Sequence, residues 1–343
     1  MTEQEDLARI AEQVAARVQE EDVTVTVVGD LIFDIAIEGR AGGTHPETGV
    51  ELLKEASLQE SIGGAGNIAV ILSRLGAKVT LFGIVGSDLP GRQLAEMQDR
   101  QRYRAHVVVQ RGWPTPTKHW VYERDAETVK PRIRIDYDQP LPGTGRQELL
   151  GEFRARFRGG SHVLVVADHG LGVMGTETEP IIDLARESGA KVVAIPRTST
   201  ALYQTVDALV ANPTETRGLV GLQGKGEARE SADLFASRNN LIVFLTQGQE
   251  GLYVANGRRP SASHLAPTQP VENPQKMGAR DMVLATVALA LALDLDVAET
   301  SRLANALANL VVAQRGNGIV FWDDLFVALG RGHQTSPGIG SPR

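Results

Sequence analysis

The sequence contains no cysteine. Disulfides, thiolate metal sites and a cysteine nucleophile are therefore excluded. Aromatic residues make up only 5% of the chain, and the longest apolar run, Met282 to Leu293, is about a dozen residues with Thr286 inside it. A membrane-spanning helix needs roughly 20 apolar residues, so this run reads as a buried core helix. Positive charge is in deficit: 35 Lys and Arg against 42 Asp and Glu leave a formal net charge of −7. Nonspecific nucleic-acid binding needs a basic surface, which this balance disfavours. The first twenty residues are acidic and amphipathic rather than basic and then apolar. No secretory peptide is expected, and a cytoplasmic location follows by default.

What remains is ordinary globular material, 42% hydrophobic and 22% charged over 343 residues. That is enough for one large α/β domain with a core that needs no staples. Leu7, Ile10, Val14 and Val18 form one apolar stripe, which predicts an N-terminal amphipathic helix within residues 1–21. Val23–Gly29 (VTVTVVG) is β-branched and ends at glycine, a buried-strand signal. The same grammar recurs at Val79–Gly86, His162–Ala167, Lys191–Ile195, Ala208–Val210 and Leu241–Thr246. Helical stretches intervene, which implies a mostly parallel sheet covered on both faces. Residues 31–61 and 106–138 break the alternation with short strand-like pieces and read as a small β-rich lid. The Gly/Pro/Ser-rich tail, residues 331–343, is expected to be disordered.

Four stretches have chemical potential. In Ser61–Leu75 (SIGGAGNIAVILSRL), Gly63, Gly64 and Gly66 permit close backbone approach, and Asn67 enters a helix where it can cap or point at a ligand. A loop that merely needs glycine geometry reads the same way. In Asn273–Leu293, Gly278-Ala279-Arg280-Asp281 opens the apolar helix. Free backbone amides there form an anion site, and Asp281 is placed either as a general base or as a simple first-turn acid. After a strand, Ala211–Thr216 (ANPTET) offers Asn212 and Glu215 either as hard-cation ligands through water or as a helix capping box. Leu245–Tyr253 (LTQGQEGLY) places Thr246, Gly248 and Gly251 where nucleotide phosphates or a plain hairpin turn would suit them. Gly224-Lys225 lacks the rest of a P-loop, and no G-x-G-x-x-G, H-E-x-x-H or G-x-S-x-G is present.

The order of these motifs is more specific than any one of them. Gly29-Asp30 with Asp34, then GGAGN, GSDLPG, Thr117-Lys118, RIDYD, ADHG, NPTE, LTQGQEG and GARD resembles the ribokinase-like (PfkB) carbohydrate kinases over residues 22–330. Within that family the chain is most similar to the bacterial heptose-7-phosphate kinases, on the Gly-Asp pair, Thr44–Val50 (THPETGV) and Arg134-Ile135-Asp136. The resemblance implies a three-layer α/β/α fold with a β-stranded lid, and transfer of phosphate from ATP to a sugar hydroxyl with Mg2+. Asp34, Gly63, Gly64, Asn67, Lys118, Arg134 and Asp168 would contact the sugar phosphate. Asp281 would act as base beside the anion loop of Gly278, Ala279 and Arg280. Asn212 and Glu215 would organise Mg2+, and Asn212, Thr246, Gly248 and Gly251 would meet the nucleotide. A homodimer paired through the lids is also implied.

Departures from the family pattern concentrate at the chemistry. D-x-T-G-A-G-D becomes Gln275-Lys276-Met277-Gly278-Ala279-Arg280-Asp281, D-P-K becomes Ile195-Pro196-Arg197, and the lysine of D-Y-x-K-G becomes Leu171. Arg280 either fills the anion hole, supplies a fixed positive charge to the phosphate, or turns to solvent. Two functions stay open: a sugar-phosphate kinase, or a catalytically impaired relative that binds a sugar phosphate or nucleotide as a regulatory or structural partner.

Overall fold

The structure, a computed structural model, describes residues 2–125, 128–157, 159–197, 201–221, 227–259, 261–265, 271, 277–313 and 320–331. The first third of the chain runs α1 (Glu3–Glu20), β1 (Thr24–Gly29), β2 (Leu31–Thr44), β3 (Glu51–Gly64), α2 (Ala65–Arg74), β4 (Lys78–Gly86), α3 (Leu89–Asp99) and β5 (Arg104–Gln110). Next come β6 (Thr117–Arg124), β7 (Val129–Tyr137), α4 (Gly143–Arg156), β8 (Val163–Ala167), α5 (Glu179–Glu187), β9 (Lys191–Ile195), β10 (Ala208–Ala211) and α6 (Pro213–Leu219). The chain continues through α7 (Ala228–Asn239), β11 (Ile242–Thr246), β12 (Leu252–Asn256), β13 (Ser261–Leu265), α8 (Ala279–Ala292), α9 (Val297–Ala313) and α10 (Trp322–Ala328).

The central sheet has nine strands in the order β13-β12-β11-β10-β9-β8-β1-β4-β5. All neighbours from β11 to β5 pair in parallel, and β12 and β13 add an antiparallel edge. β8 shows how the apolar strands build three layers. Val163, Val165 and Ala167 enter one buried cluster with residues of α1, α2, α8 and α9, while Leu164 and Val166 enter the other with α4, α5 and α7. Successive strand residues face opposite sides, so a strand without polar residues is covered on both.

The lid is a second sheet, β3-β2-β6-β7, with β2 and β6 parallel and the outer pairs antiparallel. Its strands are longer than the pieces expected from sequence, 14 residues each in β2 and β3. Residues 106–110, expected in the lid, instead belong to β5 at the edge of the central sheet beside β4. Among lid residues Leu58, Ile133 and Tyr137 are 60%, 56% and 61% exposed, leaving apolar surface uncovered.

α1 carries the predicted stripe, with Leu7, Ile10, Val14 and Val18 buried. Thr2 and Glu5 form a capping box at its start, with Thr2 N–H donating to Glu5 Oε2 at 2.7 Å and Glu5 N–H to Thr2 Oγ1 at 3.2 Å. It packs on α9 and α10 and is part of the main core rather than a separate appendage. The tail expected to be disordered lies outside the described residues apart from Arg331, as do Gly224, Lys225, Gln275 and Lys276.

Candidate active site

In parallel α/β sheets the loops at the carboxyl ends of the strands carry ligand sites. Here those ends present Asp30 after β1, Asp168 and His169 after β8, Arg197 after β9 and Asn212 after β10. The amino ends of α2, α6 and α8 meet them.

The lid supplies one side of the site. Asp34 on β2 stands opposite Lys118 on β6 in parallel register. Gly63 earns its place by proximity: a Cβ there would lie 2.1 Å from Asp34 Oδ2, so only glycine admits the carboxylate. At Gly64 the φ of +60° and a carbonyl, Asp30 O, 2.2 Å from any added Cβ make glycine necessary for the turn into α2. Both glycines thus serve the protein's own groups, a reading that sequence left beside ligand contact. Burial pushes the Asp34 carboxyl up to about 6, with Lys118 opposing the rise and the Asp281 charge adding to it. Arg134 on β7 lies farther out, 47% exposed, with Nη2 donating to Asp136 Oδ2 at 2.6 Å and its guanidinium 4.9 Å from the Trp120 ring.

Two motifs that lie far apart in sequence meet at the centre. Asn67 Nδ2, in the first turn of α2, donates to Asp281 Oδ2 in the first turn of α8 at 2.7 Å. Burial raises the Asp281 carboxyl above its ordinary range, against the pull of the Asn67 hydrogen bond and of the Arg280 and Lys118 charges. Gly278 caps α8 in a left-handed conformation, φ +78°, with no atom nearer than 3.7 Å to where a Cβ would sit. The first intrahelical bond is Met282 N–H to Gly278 O at 2.9 Å. The amides of Ala279, Arg280 and Asp281 precede it, have no intrahelical partner and lie at the positive end of the helix.

Arg280 turns sideways onto α6. Its Nη1 donates to both oxygens of Glu215, at 2.7 and 2.8 Å, with the two side chains 22% and 8% exposed. Arg197 Nη1 reaches the same carboxylate at 3.4 Å. Asn212 and Glu215 also form the capping box of α6: Asn212 Oδ1 accepts from Thr214 and Glu215 amides at 2.9 Å each, and Glu215 Oε2 accepts from the Asn212 amide at 3.0 Å. Both oxygens of the Glu215 carboxylate therefore already accept N–H donors. The pair does not fit the hydrated Mg2+ expected there, because metal-bound water is a donor and needs a vacant acceptor. Among the described residues no group of three or more His, Asp or Glu offers another metal cluster.

Asp168 is placed differently from the expected sugar contact. It is fully buried, and its carboxylate accepts from the Gly170 amide at 2.9 Å, the Arg197 amide at 3.2 Å and the Tyr203 hydroxyl. Asp30 acts in parallel, taking the amides of His169, Leu171 and Val173 at 2.8, 3.2 and 3.0 Å. Burial and the neighbouring Asp168 charge push Asp30 up to about 6. Together the two carboxylates pin the loop after β8. Thr246 Oγ1 donates to Ala211 O at 3.3 Å, and Gly248 and Gly251 take φ of +62° and +90° in the turn between β11 and β12. That turn borders the start of α6, since Ala211 and Leu245 are paired.

Sequence reasoning overlooked two groups. His169 faces the site with its Nε2 buried and unpartnered among the described residues. Burial and the charges of Arg280, Lys118 and Arg197 pull its imidazole down to about 3, so it is neutral. Tyr122 on β6 donates its hydroxyl to Met277 Sδ at 3.6 Å, joining lid to anion loop. A lone histidine and a lone tyrosine leave no motif, and only the fold assigns them.

A family model described as pfkB family carbohydrate kinase matches residues 24–324. "Bifunctional protein HldE" of Halorhodospira halophila is 31% identical over 324 residues, covering 93% of this chain and 66% of that protein. "Bifunctional protein HldE" of Mesorhizobium japonicum is 31% identical over 320 residues, covering 91% and 63%. The chain thus spans just under two thirds of the length of these curated relatives. Among solved structures, Escherichia coli phosphofructokinase-2 in complex with substrates and products superposes with a TM-score of 0.71 at 17% identity, covering 90% of this chain and 100% of that one. Arabidopsis thaliana ribokinase complexed with ribose and ATP gives 0.63 at 16% identity, covering 90% and 98%. At such identities the two structures speak to the fold alone.

Proposed function

The chain belongs to the pfkB family of carbohydrate kinases, and from that premise we propose that it transfers the γ-phosphoryl group of ATP to a hydroxyl of a sugar phosphate. The sequence resemblance to heptose-7-phosphate kinases makes a heptose 7-phosphate the substrate to test first. The observation that carries this reading is the Asn67–Asp281 hydrogen bond at 2.7 Å. It joins the glycine loop of the sugar side to the helix start where the phosphoryl group would be received.

In this reading Asp281 removes the proton of the attacking hydroxyl. A carboxyl raised by burial is a stronger base than an exposed one, and Asn67 keeps one of its oxygens fixed. Asp34 and Lys118 hold sugar hydroxyls, and Arg134, exposed at the lid edge, meets the substrate's own phosphate. The amides of Ala279, Arg280 and Asp281 stabilise charge on the transferred group as it moves. ATP is the donor, bounded by Thr246, Gly248 and Gly251. No step is assigned to a metal, since Glu215 has no oxygen ready for one.

The uncovered apolar residues Leu58, Ile133 and Tyr137 support pairing of two copies through their lids. A cytoplasmic location agrees with the use of ATP. No helix among the described residues is long and apolar enough to cross a membrane. The test is ADP release from ATP with a panel of sugar phosphates including heptose 7-phosphate. Release with at least one acceptor, and none without, supports the reading. Background release with every acceptor would reject it.

A further inference from the structure

We infer that the Arg280–Glu215–Arg197 cluster receives nucleotide phosphates directly, so that this chain binds metal-free ATP about as tightly as the magnesium complex. The inference rests on the kinase reading and specifies how its nucleotide half handles charge.

Three loops build the cluster. Arg197 follows β9, Glu215 lies in the first turn of α6, and Arg280 lies in the first turn of α8. Arg280 commits only Nη1 to Glu215. Its Nε and Nη2 donate to nothing among the described residues, and its side chain remains 22% exposed. A guanidinium has five N–H groups in a rigid fork, so the unused edge matches two phosphate oxygens. Arg197 is half exposed and adds a second fork.

The charge balance favours an anion over a hydrated cation. Within the cluster one carboxylate faces two guanidiniums, and the Asp281 carboxylate beside Arg280 is offset by Lys118 as well. His169 lies in the same neighbourhood, and burial first, then the Arg280, Lys118 and Arg197 charges, lowers its imidazole to about 3. Its unpartnered Nε2 is one more polar atom left for a ligand. A divalent cation on ATP ordinarily bridges phosphate oxygens and offsets their charge. Here two fixed cations already stand at the phosphate side, and a metal would have to displace Arg280 to reach Glu215. Glycine at position 280 would release Glu215 and make a metal useful again.

Calorimetric titration of the 343-residue chain with ATP, in EDTA and in Mg2+, tests this. The wild-type Kd values in the two buffers are expected to agree within about fivefold, whereas Arg280→Gly loses roughly tenfold or more in EDTA and recovers in Mg2+. Thermal melts check that Arg280→Gly is folded. Wild-type binding that is more than about fivefold tighter with Mg2+ would overturn the inference and leave the kinase reading standing. An Arg280→Gly variant indifferent to EDTA would overturn it too. Absence of binding in both buffers would overturn the inference and the kinase reading together.

Discussion

The two halves of the site hold charge in opposite ways. On the lid side Asp34 is a largely enclosed carboxylate whose neighbour Lys118 only partly offsets the cost of burial, and its carboxyl rises to about 6. On the α6 side the Glu215 side chain is 8% exposed, yet donors from Arg280, Arg197 and the Asn212 amide meet both of its oxygens. The first arrangement leaves an acceptor that an incoming hydroxyl can satisfy. The second consumes the acceptor and leaves donors over. A buried group with spare bonding capacity of one sign selects a ligand of the other, which is why the proposed kinase reading assigns hydroxyls to the first half and phosphates to the second.

Asp281 sits between the halves, and replacing it is the largest break. Asp281→Asn keeps the shape and removes the base, so turnover should fall by roughly 10²–10⁴-fold with ATP affinity little changed. Steady-state kinetics and nucleotide titration read the two parts separately. A smaller effect is expected for Asn67→Ala, which removes a positioning group. Its hydrogen bond lowers the Asp281 carboxyl, so losing it raises that carboxyl further. The acid limb of the kcat–pH profile should move to higher pH, with kcat down by about 10-fold and KM less affected. A profile that keeps its acid limb in place would assign Asn67 a packing role only.

The mildest change concerns stability. Asp34 has a folded value of about 6 against an ordinary 3.8, so at pH 7 both states are ionised and the folded state bears the burial penalty. As pH falls from 6 toward 3.8 the folded state takes up the proton first, and stability rises. Asp34→Asn should therefore melt a few degrees higher than wild type at pH 7, on the order of 1–3 kcal/mol, with the gap closing toward pH 4. The same variant should bind sugar phosphate more weakly. A variant less stable than wild type at pH 7 would show that Asp34 is structural, and the contrast between the halves would fail.

Much of the fold was legible because the parallel strands are uninterrupted apolar runs. β9 matches its expected span, Lys191–Ile195, residue for residue. β3 resisted the same reading. Both its faces are largely open over Glu51–Glu60, so charged and apolar residues mix without alternation. α9 escaped because neither glycine nor proline separates it from α8; the break is Asp294 in a left-handed conformation, φ +51°. In the site, the residue types of GGAGN, NPTE and GARD were readable, and so was the Asn212–Glu215 capping box, but the pairings between one motif and another were not. Asn67 and Asp281 are 214 positions apart, and the direction of Arg280 depends on α6 arriving beside it. Asp168 entered as a sugar contact through the family resemblance alone, and its tyrosine and backbone-amide partners carry no sequence signature.

The central claim is that a phosphoryl group moves between the two halves. The direct measurement is ATP carrying a labelled γ-phosphate, incubated with heptose 7-phosphate and the protein, with the products separated by charge. The account predicts label in a sugar bisphosphate, formed by wild type and not by Asp281→Asn. Label that stays in ATP, or appears only as inorganic phosphate with this acceptor and every other sugar phosphate tried, would contradict it.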